Sequence, residues 1–217
     1  MVIKACIFDL DGVIVDTAKY HFIAWRNIAR DLGFEFTEIH NERLKGVSRM
    51  RSLEILLEVG GLALDDKTKE TLAKRKNDEY LEYIMKMKPD EILPGAKQFL
   101  EELRQKCILT ALGSASKNSM TILNRLQISS LFDAIIDGNK VTKAKPDPEI
   151  FLKGAGELHI PAMNCVVFED AEAGIEAAIA AGMKCVGIGD PAILCKANAV
   201  IPGFRDFNFN ILNKLMK

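Results

Sequence analysis

What most constrains this chain is a recurrence of short apolar runs, each ending in polar residues and each followed by a helical pattern. The first is Val2–Leu10 (VIKACIFDL), rich in β-branched and aromatic residues. Similar runs follow at Cys107–Gly113, Ala134–Asp137, Cys165–Phe168 and Cys185–Gly189, with a last short one at Ala199–Ile201. Near-continuous apolar runs of this length fit strands of a parallel sheet that is covered on both faces. Helical patterns lie between them. Ala96, Phe99, Leu100 and Leu103 follow i, i+3, i+4, i+7 spacing, with Pro94 assigned to the first turn. Ile122, Leu123 and Leu126 make a second apolar face. Asp147-Pro148 reads as an N-cap followed by a first-turn proline, and Ala171–Ala181 as a small-residue helix closed by Gly182. The alternation predicts an α/β fold with a doubly wound (Rossmannoid) parallel sheet.

One stretch breaks the alternation. From Thr17 to Met87 only helical patterns occur. Phe22, Trp25, Ala29 and Leu32 form a face ended by Gly33. Leu53, Leu56 and Leu57 form another, and Asp65–Met87 reads as a long, charged helix. A crossover between parallel strands needs a single helix, so this segment is too large for one. The expected organisation is a helical cap domain over 17–88, inserted into an α/β core made of 1–16 and 89–217. The hinges would lie near Asp16-Thr17 and Lys88-Pro89-Asp90.

Composition excludes several classes of function. Hydrophobic residues make up 48% and charged residues 27%, enough to build a core. The formal net charge of −1 leaves no basic excess for a nucleic-acid backbone. No apolar stretch approaches the roughly 18 residues that span a bilayer, and the N-terminus lacks a signal-peptide layout. Five scattered cysteines without a CxxC pair point to buried thiols in a reducing, cytoplasmic setting.

The chemistry sits at the strand ends, where open α/β sheets bind ligands. The first strand delivers Asp9 and Asp11. The second delivers Ser114, with Ser116 and Lys117 opening the next helix. Lys145 precedes the helix near Asp147, and the fourth strand delivers Glu169 and Asp170. So many carboxylates on one edge repel one another unless a cation sits among them. Oxygen donors without zinc-spaced His or Cys suit a hard ion such as Mg²⁺. A lysine and a hydroxyl near a helix N-terminus are donors for phosphate oxygens. Together they suggest phosphoryl transfer with a carboxylate nucleophile.

Phe8-Asp9-Leu10-Asp11-Gly12-Val13 resembles the DxDG[VT] signature of the haloacid dehalogenase superfamily. Ser114, Lys145 and Glu169-Asp170 resemble its second, third and fourth motifs, in order. The helical insertion after the first motif resembles its small-cap subclass. The segments 16–22, 44–49, 72–78 and 114–118 extend the resemblance to the superfamily's sugar-phosphate mutases. The resemblance implies that Asp9 is the nucleophile and Asp11 the general acid and base. Mg²⁺ would lie between Asp9, the backbone carbonyl of Asp11, Glu169 and Asp170. Ser114, the amide of Ala115 and Lys145 would hold the transferring phosphoryl group. From the cap, Arg49 would grip the distal phosphate, and Gly46 and Val47 would form a specificity loop. His21 would order Asp11 and a sugar hydroxyl, and Trp25 and Lys76 would line the sugar site. Ser116, Lys117 and Asn118 would meet the distal phosphate or the sugar from the core side.

The reaction so implied interconverts β-D-glucose 1-phosphate and β-D-glucose 6-phosphate in a monomer, with β-D-glucose 1,6-bisphosphate as intermediate and activator. A Mg²⁺-dependent phosphatase acting on a small sugar phosphate or phosphoglycolate would share the same core motifs. A non-catalytic phosphosugar-binding protein would not need Asp9, Asp11, Lys145 and Asp170 intact. Some residues carry plainer readings as well. Trp25 lies on an apolar stripe, and Lys76 lies in a charge run, Lys74-Arg75-Lys76, of the kind that usually faces solvent. His40 and His159 read as structural or surface residues.

Overall fold

The computed structural model describes residues 2–44, 47–205, 207 and 209–215. Six strands form one sheet: β1 (Ala5–Phe8), β2 (Leu109–Gly113), β3 (Ala134–Ile136), β4 (Cys165–Glu169), β5 (Lys184–Ile188) and β6 (Ala199–Ile201). Their order is β3-β2-β1-β4-β5-β6 and every pairing is parallel. Phe8 stands opposite Leu112 on one side and Phe168 on the other. That register delivers Asp9, Ser114 and Glu169 to the same sheet edge, because parallel strands end side by side.

Side chains alternate across the sheet. Cys6, Phe8, Leu112, Val166, Phe168 and Val186 point to one face and join Phe99, Leu100 and Leu103 of α5 (Ala96–Gln105) and Ile122 of α6 (Ser119–Arg125). Ile7, Ala111, Val167 and Cys185 point to the other, against Phe151 of α7 (Glu149–Glu157) and Ile175 of α8 (Glu172–Ala180). A short helix α9 (Asn210–Leu215) closes the described chain.

Between β1 and β2 run α1 (Ala18–Asp31), α2 (Glu38–Glu42), α3 (Arg49–Gly60) and α4 (Asp66–Ile84) before α5 begins. Trp25, Ile28, Ala29, Phe36, Leu53, Leu56, Leu57 and Ala73 form an apolar cluster of their own within this segment. The C-terminal part of α4 behaves differently. Tyr80 and Ile84 share a cluster with Val13, Ile14 and Val15, which follow the first strand. The entry and exit chains of the helical segment also touch, through a bridge between Val15 and Ile92 and a hydrogen bond from Leu93 N to Ile14 O of 2.9 Å. Beside them the Glu91 carboxylate accepts from the Tyr20 hydroxyl at 2.5 Å and from Lys19 Nζ at 3.1 Å.

Four local expectations are corrected. Pro94 lies ahead of α5 and not in its first turn, because Gly95, at φ +83°, turns the chain before the helix starts at Ala96. Ser116 and Lys117 belong to the loop before α6, which starts at Ser119. The thiols of Cys6, Cys165 and Cys185 are buried, whereas Cys107 and Cys195, in turns outside the strands, are exposed; all five are free. The Asp147-Pro148 expectation shifts by one residue: Pro148 is the N-cap of α7, which starts at Glu149, and Asp147, one position ahead of it, accepts the Glu149 amide at Oδ1 at 3.0 Å. His40 is structural: its Nδ1 accepts the Thr37 amide at 3.2 Å, closing a capping box at the start of α2, a helix too short to leave an apolar period. Among the described residues no helix is long and apolar enough to cross a membrane.

Phe8 is fully buried and stacks on Phe168 at 4.8 Å between ring centroids. Phe8→Ala removes that ring from the strand that orders both sheet halves. It is expected to cost about 3–5 kcal/mol, read as a lowered denaturant midpoint.

Candidate active site

Asp9 follows β1 directly, and its backbone amide donates to Phe168 O at 3.0 Å, which continues the strand ladder into the site. Lys145, fully buried, donates to Asp9 Oδ1 at 2.6 Å and to Glu169 Oε2 at 2.8 Å. Burial on its own would lower the Lys145 pKa; the carboxylates of Asp9 and Glu169 overcome it and hold the ammonium charged. Burial pushes the Glu169 carboxyl up to about 7 against the pull of Lys145. Asp11 is likewise raised to about 7, first by burial and then by the charge of Asp9, while the Thr17 hydroxyl, donating to Asp11 Oδ1, opposes the shift.

Carboxylate oxygens of Asp9, Glu169 and Asp170 lie within 4.8 Å of one another. One lysine does not balance three carboxylates, and the donors are all oxygen, so the cluster fits a hard divalent cation such as Mg²⁺. Two glycines make the cluster possible. Gly12 sits at φ +76°, and a methyl group there would overlap the Asp170 carboxylate. A side chain at Gly174, on α8, would overlap the Glu169 carboxyl group. Gly174 was not singled out from the sequence; the small-residue character of α8 was its only signal.

A cavity of about 580 Å³ opens above this edge and reaches the helical segment. Asp9, Asp11, Lys145, Asp170, Ala115, Ser116, Lys117 and Asn118 line it from the sheet side. His21, Trp25, Val47, Arg49 and Lys76 line it from the helices. Of the remaining candidates, Ser114 and Glu169 are buried and outside its lining, with Ser114 Oγ accepting the Ser116 amide at 3.2 Å. Gly46 lies outside the described residues.

Helical spacing explains the upper wall. His21 and Trp25 are four apart on α1, and Lys76 and Tyr80 are four apart on α4, so each pair shares a face. The two faces meet. Lys76 Nζ lies 2.7 Å from His21 Nδ1, 5.0 Å from the Trp25 ring centroid and 4.6 Å from that of Tyr80. Lys76 is only 2% exposed, so it is not part of the solvated face that its charge run suggested. Burial and then Arg49 lower it to about 7, with Asp11 opposing. Burial, Lys76 and Arg49 hold His21 well below the usual histidine range, so the ring is neutral. Trp25 serves both of its readings: it is a member of the helical apolar cluster and a wall of the cavity. Asn41, Ser52, Asn77 and Tyr80 also line the cavity and were missed. Asn77 Oδ1 accepts from Asn118 Nδ2 at 2.9 Å, tying α4 to the loop before α6.

A parallel α/β core with paired aspartates after its central strand, a buried lysine between carboxylates and an acidic metal-binding cluster defines a phosphoryl-transfer type of site. The sequence matches the haloacid dehalogenase-like hydrolase family over residues 3–182, and the chain belongs to that family. It is 43% identical to the β-phosphoglucomutase of Bacillus subtilis over 213 residues, 97% of this chain and 94% of the relative. The crystal structure of β-phosphoglucomutase from Clostridium difficile superimposes with a TM-score of 0.94 at 41% identity, covering 99% of this chain and 97% of that one. A phosphorylated carbohydrates phosphatase of Thermotoga maritima is 32% identical over 98% of this chain and its own full length.

Two predictions follow from the electrostatics and the packing. In the fold Asp11 takes up its proton at about 7, against an ordinary value of 3.8, so the native state binds more protons than the unfolded chain between those limits. In chelator, wild type should therefore lose stability relative to Asp11→Asn as pH rises from about 4 to about 7, by at most about 1.4 kcal/mol per pH unit, read by urea unfolding at each pH. Gly174→Ala should displace Glu169 and weaken Mg²⁺ binding by an order of magnitude or more, measured by calorimetric titration.

Proposed function

We propose that this chain is a β-phosphoglucomutase, interconverting β-D-glucose 1-phosphate and β-D-glucose 6-phosphate through a phospho-aspartyl enzyme. The observation that carries the reading is a cavity lined by cations from both sides: Lys145, beside Asp9, from the sheet, and Arg49 and Lys76 from the helices. A bisphosphate needs cationic groups at both ends, whereas a monophosphate needs one.

Each residue then has a task. An Asp9 carboxylate oxygen attacks phosphorus, and the P–O bond to the sugar breaks. Asp11, protonated near neutrality, gives its proton to the leaving sugar oxygen. In the opposite half-reaction Asp11 takes a proton from the attacking hydroxyl, and the phosphoryl group leaves Asp9 for that oxygen. Starting from phospho-Asp9, the 6-hydroxyl of β-D-glucose 1-phosphate is phosphorylated to give β-D-glucose 1,6-bisphosphate. The bisphosphate turns round, and its 1-phosphoryl group passes to Asp9. Lys145, Ser114 and the Ala115 amide hold the phosphoryl oxygens. Asp9, the Asp11 carbonyl, Glu169 and Asp170 would hold a Mg²⁺, which would supply charge neutralisation. At the far end Arg49 grips the second phosphate in a fork, with Ser116, Lys117 and Asn118 facing it. Neutral His21 accepts from Lys76 at Nδ1 and so presents an N–H at Nε2 toward the cavity.

Residues 17–88 act as a cap that swings about the Asp16-Thr17 and Lys88-Asp90 connections, excluding water from phospho-Asp9 when shut. The protein acts as a cytoplasmic monomer. The phosphatase reading is supported by the similarity to the Thermotoga maritima phosphatase.

A paired assay separates the two. With β-D-glucose 1-phosphate, Mg²⁺ and a trace of the 1,6-bisphosphate, glucose 6-phosphate should form rapidly and inorganic phosphate slowly. Phosphate release outrunning isomerisation would overturn the mutase reading. Arg49→Ala should lower kcat/KM for isomerisation by roughly 10²-fold or more, through loss of a charge-assisted contact.

A further inference from the structure

Lys145 sits in a stretch with neither strand nor helix, 137–148, between β3 and α7. An irregular loop places a side chain only as well as the loop itself is held, yet Lys145 Nζ lies at 2.6 Å from Asp9 and 2.8 Å from Glu169. The hold comes from Glu149, the first residue of α7. Its Oε2 accepts the Thr142 amide at 2.9 Å, the Thr142 hydroxyl at 3.0 Å and the Lys143 amide at 2.7 Å. Its Oε1 pairs with Lys153 Nζ at 2.7 Å, one turn along α7. Within the span so closed, the Asp147 amide donates to Ala144 O at 3.0 Å. The chain from 142 to 149 therefore returns on itself and is stapled at its base by one carboxylate, with Lys145 between the two fixed ends.

We propose that Glu149 is a positioning residue, which acts on phosphoryl transfer by fixing where Lys145 Nζ meets Asp9. An ion pair between two exposed, flexible side chains contributes little. Glu149 is a different case. Its side chain is only 18% exposed, and three of its four donors belong to the loop, two of them backbone amides. Hydrogen bonds to an ionised acceptor are the strong ones, and backbone donors transmit them directly to the path of the chain. Thr142 and Lys143 also line the active-site cavity, so the stapled segment forms part of its wall. A shift of about 1 Å in a reacting group costs on the order of 100-fold in rate, even when its cause lies outside the chemistry. This inference rests on the role given above to Lys145 in holding the phosphoryl group, and adds the group that places it.

The test compares wild type with Lys145→Ala, Glu149→Ala, Glu149→Gln and the double variant Lys145→Ala/Glu149→Ala. Each is phosphorylated on Asp9 by acetyl phosphate in the presence of Mg²⁺, with acetate leaving, well below its own thermal unfolding midpoint. The second-order rate constant is read. Lys145→Ala should slow phosphorylation by about 100-fold or more, and Glu149→Ala by about 10- to 100-fold. Glu149→Gln, which keeps the shape and one acceptor oxygen without the charge, should fall by about 3- to 10-fold. The double variant should be no slower than Lys145→Ala alone, because a residue that acts through Lys145 has nothing left to position. A folded Glu149→Ala at the wild-type rate, with Lys145→Ala slow, would overturn the inference alone. So would a double variant in which the two losses multiply, since that would mean that Glu149 acts on the fold or on Asp9 independently of Lys145. If Glu149→Ala does not fold, Glu149→Gln takes its place in both comparisons, and the same outcomes decide. Lys145→Ala at the wild-type rate would instead overturn the role given to Lys145, and the inference with it.

Discussion

The buried ammonium of Lys145 is the contact on which the rest of the site depends. It reaches Asp9 and Glu169 together, from a loop distant in sequence from both. Three carboxylates gathered at one sheet edge repel one another, and burial makes the repulsion worse. A single lysine relieves part of it and leaves a negative remainder, which creates affinity for a divalent cation. Burial, and then the charge of Asp9, raises Asp11 and Glu169 toward neutrality. Charge balance thus links the metal-binding cluster to the protonation state that a general acid requires, without any group tuned in isolation.

The helical segment answers with the opposite arrangement. Lys76 and Arg49 are two cations in one wall, and each lowers the pKa of its neighbours. Burial of Lys76 between His21, Trp25 and Tyr80 is costly without an anion, and the aromatic faces recover part of that cost. The wall is therefore electrostatically incomplete until an anionic ligand arrives. The floor is incomplete in the opposite sense. A divalent cation at the floor and an anionic ligand group against the wall together match these two demands. The contact between Asn77 and Asn118 shows how closely α4 approaches the core across that space.

Much of this was legible in the sequence because strand ends carry a simple rule. The apolar runs marked the six strands, and the polar residues that follow them met at one edge because parallel strands end together. Asp9, Asp11, Lys145 and Asp170 needed no tertiary information beyond that. Helical positions were harder. Lys76 sits among Lys74 and Arg75, and nothing in that run says which of the three is buried; the apposition of α4 with α1 decides it. Asn41 lies on a helix too short to show periodicity. Gly174 looked like one more small residue, and its meaning appears only once Glu169 is seen beneath it.

By itself, then, the sequence determined the sheet, the strand-end chemistry and the family resemblance, because these depend on local pattern and on the order of residues along the chain. The tertiary structure alone decided which cation is desolvated and which glycine makes room for a carboxylate. Those properties belong to pairs of surfaces brought together from distant parts of the chain. Burial and hydrogen-bond satisfaction are relations between surfaces, so no single segment contains them.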